Sequence, residues 1–186
     1  AQGNKETSKA VLDRFAQLLP GFINDKDFID MLRLVQVAIQ RGEITQQDAP
    51  EFAQAMADEF PSANAAMNRE LLRILAGLNV SDVGKIKQRY IEYLQSELGP
   101  PDHLHVALHL ALLDAEWTSP ERLAIVSALD KAQKASGGAS RAGYVNSVAR
   151  QFAGKLSDAE KQQVLAKAAE MPTAALSVLY HLPENL

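Results

Sequence analysis

The 186-residue chain contains no cysteine, which excludes disulfide bonds, thiolate metal ligands and cysteine nucleophiles within it. Aromatic residues make up only 6% of the chain, and one of them is tryptophan, so it offers few side chains for stacking on bases. Neither sign of charge dominates, because the net charge is −4 and the pI is near 5.6. Long apolar runs and a signal-like opening segment are also missing. We therefore expect neither nucleic acid nor a membrane as a partner.

The residues that are present favour helix throughout. The chain is rich in alanine and leucine, has few clusters of β-branched residues and shows no strand-like alternation. Apolar residues instead recur at spacings of three and four, as on the buried side of a helix. Examples are Val11, Leu12, Phe15, Leu18 and Leu19, and then Phe28, Leu32, Val35 and Ile39. The sequence predicts an all-α fold.

Glycines, prolines and capping residues divide this pattern into about ten helices joined by short connections. The breaks fall at Pro20-Gly21, Gly42, Phe60-Pro61-Ser62, Leu78-Asn79, Gly99-Pro100-Pro101, Thr118-Ser119-Pro120, Gly137-Gly138, Ser157 and Met171-Pro172-Thr173. The clearest helix start is Ser157-Asp158-Ala159-Glu160, which has the spacing of a capping box.

Two segments forty positions apart, 30–35 and 70–75, have similar sequences. The similarity continues at 108–110 and 149–152, so that Arg33, Arg73, His109 and Arg150 hold equivalent places. A period of about 36 to 41 residues built from helix pairs is typical of HEAT-like repeats. We predict one domain over 1–186, a right-handed α-α superhelix (solenoid, armadillo-like). Its five helix pairs would cover roughly 5–41, 46–78, 82–114, 119–154 and 157–182.

Four residues are candidates for binding a protein partner. Arg33, Arg73 and Arg150 would line up on one surface of stacked repeats and could meet acidic groups of that partner. The more ordinary interpretation is that they bind carboxylates or helix ends of the adjacent repeat. Trp117, just before a helix start, is either an exposed anchor for a partner or a side chain packed across a repeat junction.

His105 and His109 stand four apart on one predicted helix, as a two-histidine metal site requires. The HExxH arrangement is absent because Val106 stands at the position of the glutamate, so further ligands would have to come from residues such as Asp102 or Asp114. The alternative interpretation is that these histidines, with His103 on the same helix, are structural.

Catalytic motifs are missing from the sequence. It has no GxSxG elbow and no phosphate loop, and Gly137-Gly138-Ala139-Ser140 predicts a turn that leads into a helix cap. Asp25, Asp27 and Asp30 cluster near a helix start, where the helix dipole favours carboxylates without any chemistry. We expect no enzymatic activity and no cofactor. DNA binding of the alkylpurine glycosylase kind would need a basic groove with aromatics, which the sequence scarcely offers.

Several segments in the last two thirds of the chain carry a resemblance to one family. They are Met67–Leu75 (MNRELLRIL), Leu104–Leu110 (LHVALHL), Trp117–Glu121 (WTSPE), Gly137–Asn146 (GGASRAGYVN), Ala174–Leu176 (AAL) and Leu182–Leu186 (LPENL). In this order and spacing, residues 60–186 resemble the HEAT-like helical region of large multidomain proteins of planctomycetes and their relatives. Ala139 departs from that pattern, which usually has histidine there.

This resemblance implies a context more than an activity. In such proteins the helical array lies between a propeller-like dehydrogenase-type domain and a C-terminal cytochrome c module of an exported chain. It therefore implies a non-catalytic scaffold in a larger extracytoplasmic, possibly redox, protein, and the first residue, Ala1, also suggests an excised segment. The chain also has a more distant resemblance to the HEAT-like repeats of bilin lyases. With it goes the alternative function, a metal- or cofactor-binding helical-repeat protein that uses His105 and His109.

Overall fold

The structure is a computed structural model that describes residues 5–19, 21, 24–133 and 139–182. Within those residues the backbone forms ten α-helices and no strand, which confirms the all-α prediction. The helices are α1 (Lys5–Leu18), α2 (Asp25–Gly42), α3 (Pro50–Glu59), α4 (Ala65–Gly77), α5 (Ile86–Gln95), α6 (Pro100–Leu112), α7 (Ser119–Gln133), α8 (Ala139–Ala153), α9 (Asp158–Ala166) and α10 (Pro172–Leu179). None of these described helices is both long enough and apolar enough to cross a membrane.

The chain folds as two compact units. Unit 1 runs to Arg89 and includes Leu113–Ala115, whereas unit 2 comprises Tyr90–Leu112 and the chain from Glu116 onward. Unit 1 therefore holds α1 to α4 with the start of α5, and unit 2 holds the end of α5 with α6 to α10.

Most helix boundaries follow the predicted breaks, and three of them differ. Helix α3 begins at Pro50 rather than near residue 46, because Asp48 accepts hydrogen bonds from the Thr45 amide and hydroxyl at 3.0 Å and forms a turn there. Helix α5 begins only at Ile86, after a turn in which Gly84 has a φ of 52°. Ser140 lies inside α8 rather than before it, so it is not the predicted cap. The breaks predicted at Pro20 and at Gly137-Gly138 lie outside the described residues.

Short polar side chains start several helices by accepting amide hydrogen bonds. Asn24 caps α2 through the Asp27 amide, and Asn64 caps α4 through the amides of Ala66 and Met67. The capping box predicted at Ser157 and Glu160 is present at the start of α9. Each cap satisfies backbone donors that the helix itself leaves unpaired.

Unit 1 is built on a core shared by α1, α2 and α3. The ring of Phe15 lies 5.9 Å from that of Phe28 and 5.5 Å from that of Phe52, measured between centroids. At the C-terminal end of α2, Gly42 packs directly on Ser8 of α1, where an added Cβ would stand 2.5 Å from the Ser8 Cβ. The two helices can approach this closely only because residue 42 has no side chain.

In unit 2 the core lies between α7, α8 and α10, where Ile125, Phe152 and Val178 are buried. The start of α10 has no side-chain cap of its own, since Met171 precedes it. Asp130 of α7, which is 2% exposed, instead accepts hydrogen bonds from the amides of Thr173 at 2.8 Å and Ala174 at 3.1 Å. One buried carboxylate thus fixes α10 against α7.

Candidate functional site

Arg33 and Arg73, two of the predicted partner-binding residues, lie beside the same carboxylate in unit 1. Glu70 of α4 accepts hydrogen bonds from Arg33 Nε at 3.3 Å, Gln36 Nε2 at 2.8 Å and Arg73 Nη1 at 2.7 Å. We call Arg33, Gln36, Glu70 and Arg73 the Glu70 cluster. Arg33 thus binds a carboxylate of the next predicted helix pair, whereas Arg73 binds a carboxylate of its own helix.

Electrostatics favour the ionised form of Glu70 even though the residue is only 5% exposed. Burial alone would raise its pKa, but hydrogen bonds from Gln36 and Arg73 and the charge of Arg73 outweigh burial, so the pKa lies below its usual value. The arginine side chains remain 58% and 44% exposed, so both could also meet a partner. A cleft of about 490 Å³ adjoins the cluster, lined by Gln36 and Gln40 of α2 and by Arg73 and Gly77 of α4.

Arg150, the third arginine of the predicted set, lies in unit 2 in a different environment. Its guanidinium stacks on the ring of Tyr180, with Cζ 3.6 Å from the ring centroid. Its backbone carbonyl accepts a hydrogen bond from His181 Nε2 at 2.7 Å. The His181 ring also touches the end of α8, where a Cβ added at Gly154 would lie 3.1 Å from His181 Cε1. His181 therefore has a packing role.

Glu160, which the sequence predicts only as the glutamate of a capping box, is a further buried carboxylate of unit 2. Glu160 is 1% exposed and accepts hydrogen bonds from Arg122 Nε at 2.9 Å and from the Ser157 amide at 2.7 Å. Burial raises the pKa of Glu160, but hydrogen bonds from Arg122, Ser119 and Ser157 outweigh it and lower the pKa to about 2. The separation of Arg122 from Glu160 is 38 residues, against 37 for Arg33 and Glu70. A search for opposite charges one repeat apart could have found this pair.

His105 and His109 of α6 come together as their spacing predicts, with ring centroids 4.1 Å apart and ring planes inclined by 37°. His109 Nδ1 lies 2.8 Å from the His105 carbonyl oxygen. A carbonyl only accepts, so this nitrogen carries the proton and Nε2 carries the lone pair of the neutral ring. Across the described ranges, no group of three or more histidine, aspartate and glutamate side chains is arranged to hold a metal ion.

Trp117, the fourth predicted partner residue, is 4% exposed, which fits packing rather than an exposed anchor. Its carbonyl accepts a hydrogen bond from Arg122, the arginine that also holds Glu160. This hydrogen bond holds the backbone of Trp117 at the start of α7.

Comparison of the chain with protein-family models, curated proteins and solved structures finds no match.

Proposed function

We propose that the chain is a non-catalytic, HEAT-like helical-repeat scaffold whose surface binds protein, either neighbouring domains of a parent chain or another protein. The observation that carries this proposal is a recurring separation in the polar contacts. Arg33 binds Glu70 across 37 residues, Gln46 binds Asp82 across 36, Asn79 binds Asp114 across 35 and Arg122 binds Glu160 across 38. These four separations lie close to the predicted repeat period, whereas contacts such as Arg89–Phe60 and Asp130–Ala174 span 29 and 44 residues.

The packing of helices supports the same proposal. Second helices of the predicted pairs pack on second helices, as α2 does on α4 and α8 on α10, and first helices on first helices, as α1 does on α3 and α7 on α9. Each packing of helices described in either unit joins members of one pair or of adjacent pairs. Contact only between neighbours is typical of a solenoid.

Exposed apolar residues on a second helix favour a protein partner. On α2, Leu34 is 68% exposed and Val37 is 47% exposed, next to the partly exposed guanidinium of Arg33. In a superhelix the second helices line one continuous face, which is where such scaffolds bind other proteins. We extend the proposal to the family context: an extracytoplasmic parent protein with a dehydrogenase-like domain and a cytochrome c module.

Chemical crosslinking of the native protein, isolated from its source with an antibody to this segment, tests the scaffold. We expect crosslinks from lysines such as Lys26, at the start of α2, to another domain or another protein. Crosslinks confined to this segment in the native material would contradict the proposal.

The mass and visible spectrum of the same material test the family context. A chain much larger than 20 kDa with a haem Soret band is expected, and a colourless chain of about 20 kDa would refute the family context.

A second candidate function, metal or cofactor binding, is favoured by the histidine pair. The hydrogen bond from His109 Nδ1 to a backbone carbonyl is the arrangement that orients many metal-binding histidines. With two ligands from the chain, water would complete the coordination of a divalent transition metal. Equilibration with zinc, followed by metal analysis and a melting curve, tests this. Bound zinc and a raised melting temperature that are both lost in His109→Ala would support it, and no bound zinc would refute it.

A further inference from the structure

Unit 2 contains a cleft of about 640 Å³ that the scaffold proposal does not use. It lies where the end of α5, the connecting residues 96–99, the first turn of α6 and one side of α7 meet. Its volume is within the range of sites that bind small molecules.

The cleft exists because α7 presents small side chains to it. Ala124, Ala128 and Ala132 are spaced four apart and so form one strip along that helix. Ala128 and Ala132 are each 3% exposed, and beside them Leu94 is 2% exposed. The floor is therefore apolar, and the alanine side chains of this strip do not fill the space above it.

Two basic side chains at the edge of the cleft lack partners. Neither the imidazole of His103 nor the ammonium of Lys131 makes a hydrogen bond or ion pair with any residue in the described part of the chain. His103 is half-buried, so its ring has lost part of its contact with water without gaining a protein partner. Other arginines and histidines of this chain do have partners, such as Arg122 with Glu160 and His181 with the Arg150 carbonyl.

The sign of the local charge is positive at the His103 end. Burial lowers the pKa of His103 and the charge of Lys131 lowers it further, so at neutral pH the ring is neutral and can donate one hydrogen bond beside an ammonium group. Glu97 also lines the cleft, from the exposed connecting segment. Ser127 supplies a further hydroxyl between the alanine strip and Lys131.

We propose that this cleft binds a small organic anion, a carboxylate or phosphate carried on an apolar body. The ammonium of Lys131 and the N–H of His103 contact the anionic group, and the apolar body covers Leu94 and the alanine strip. Such a ligand gives the half-buried His103 ring a hydrogen-bond acceptor, brings a counter-charge to the exposed Lys131 and covers the apolar floor at once. The site is independent of the proposed scaffold function.

Nuclear magnetic resonance titration of the whole chain tests this proposal with three probes of similar shape: benzoate, phenyl phosphate and the neutral benzamide. We expect benzoate or phenyl phosphate to shift the amide signals of residues 94–103 and 124–132, and benzamide to bind at least about tenfold more weakly. Whichever anion binds more tightly identifies the group as carboxylate or phosphate. Shifts that are absent, or scattered over both units, would overturn the proposal.

Substitutions then distinguish the contribution of charge to ligand affinity from that of cleft shape. Lys131→Gln is expected to weaken anion binding about tenfold. The matched variant Lys26→Gln, at an exposed position of α2 in unit 1, is expected to leave it unchanged. Ser127→Leu places a large side chain over the alanine strip and is expected to abolish binding of all three probes. Glu97→Gln, on the exposed segment, removes a negative charge from the edge of the cleft and is expected to tighten anion binding. It provides a second test if Ser127→Leu does not fold. Unchanged anion affinity in Lys131→Gln would overturn the proposal.

Discussion

Glu70 and Glu160 are buried carboxylates that hold adjacent helix pairs together in their respective units. Each is almost inaccessible to water, and each is satisfied by an arginine 37 or 38 residues away and by further local donors. Burying a charge costs free energy unless hydrogen bonds replace the lost water, and here they do. Removing such a carboxylate leaves cationic donors without their acceptor, so these residues are sensitive positions.

Glu70→Gln is expected to destabilise the protein by about 1–3 kcal/mol. The amide keeps the shape of the side chain but replaces one acceptor oxygen with an NH2 donor, which would face donors such as Arg73 Nη1, 2.7 Å from Oε2 in the native structure. Urea unfolding at pH 7 measures the change in the free energy of unfolding. Asp13→Asn, at an exposed position of α1, is the control and is expected to change it by less than about 0.5 kcal/mol. A loss for Glu70→Gln no larger than that of the control would contradict the role given to this carboxylate.

Glu160 makes stability depend on pH in the acid range. Its pKa is lowered from 4.5 to about 2 by folding, so above pH 4.5 the folded state keeps its full advantage, and as the pH falls from there to about 2 the unfolded state takes up the proton first. The stabilisation at stake is on the order of 3 kcal/mol and is lost progressively through that window.

Glu160→Gln is therefore expected to lower stability at pH 7 and to flatten the decline of stability between about pH 4.5 and 2. Part of the pH dependence of stability is expected to remain in this variant, because the pKa values of Glu70 and Asp48 are also lowered. Urea unfolding at several pH values measures both effects. An unchanged slope in the variant would show that Glu160 does not carry this dependence.

Residue roles were only partly predictable from the sequence. The sequence spacing predicted equivalent roles for Arg33 and Arg73, but only Arg33 binds a carboxylate of the next predicted helix pair, and Arg73 binds the same glutamate within its own helix. Arg122 and Asp130 were missed because their partners lie 38 and 43 residues away on helices whose facing sides the sequence does not fix. The histidine pair was predictable because residues four apart on one helix are neighbours whatever surrounds them.

At the scale of helices, close packing of α1 on α2 depends on a single glycine. Gly42→Ala would put a Cβ 2.5 Å from Ser8 Cβ and 3.1 Å from Ile44 Cγ1, so the helices must separate. We expect a loss of about 1–3 kcal/mol in thermal or urea unfolding. Gly77→Ala is the matched control: it also ends a helix, its nearest contact is 3.6 Å, and it should be neutral or slightly stabilising. Equal effects of the two substitutions would contradict this account.

The start of α10 depends on a side chain from another helix. Asp130→Ala removes the acceptor for the amides of Thr173 and Ala174, and α10 has no cap of its own to replace it. We expect a loss of about 2 kcal/mol and faster hydrogen exchange in the first turn of α10. Asp130→Asn keeps an acceptor and is expected to lose less. Unchanged exchange of the Thr173 and Ala174 amides in Asp130→Ala would exclude the capping role.

Helix boundaries were more predictable than residue roles because capping is local. The box at Ser157 and the end of α2 at Gly42 follow from a few neighbouring residues, and both were predicted. The starts of α3 and α5 were placed too early, since Asp48 draws Thr45 into a turn and Gly84 adopts a left-handed backbone. Such turns compete with helix formation through contacts that apolar spacing does not record.

At the scale of the whole molecule, the proposed scaffold makes a claim about cooperativity. Where helices contact only their own pair and adjacent pairs, the free energy of unfolding is a sum of local contributions. A destabilising substitution then affects mainly the helices near it. We therefore expect Glu70→Gln to speed hydrogen exchange mainly in α1 to α4, and Asp130→Ala to speed it mainly in α7 to α10. Native-state exchange followed helix by helix measures both patterns, each variant serving as the control for the other. If either substitution lowered protection equally in all helices, the chain would be unfolding as one cooperative body, and the solenoid on which the scaffold proposal depends would be refuted.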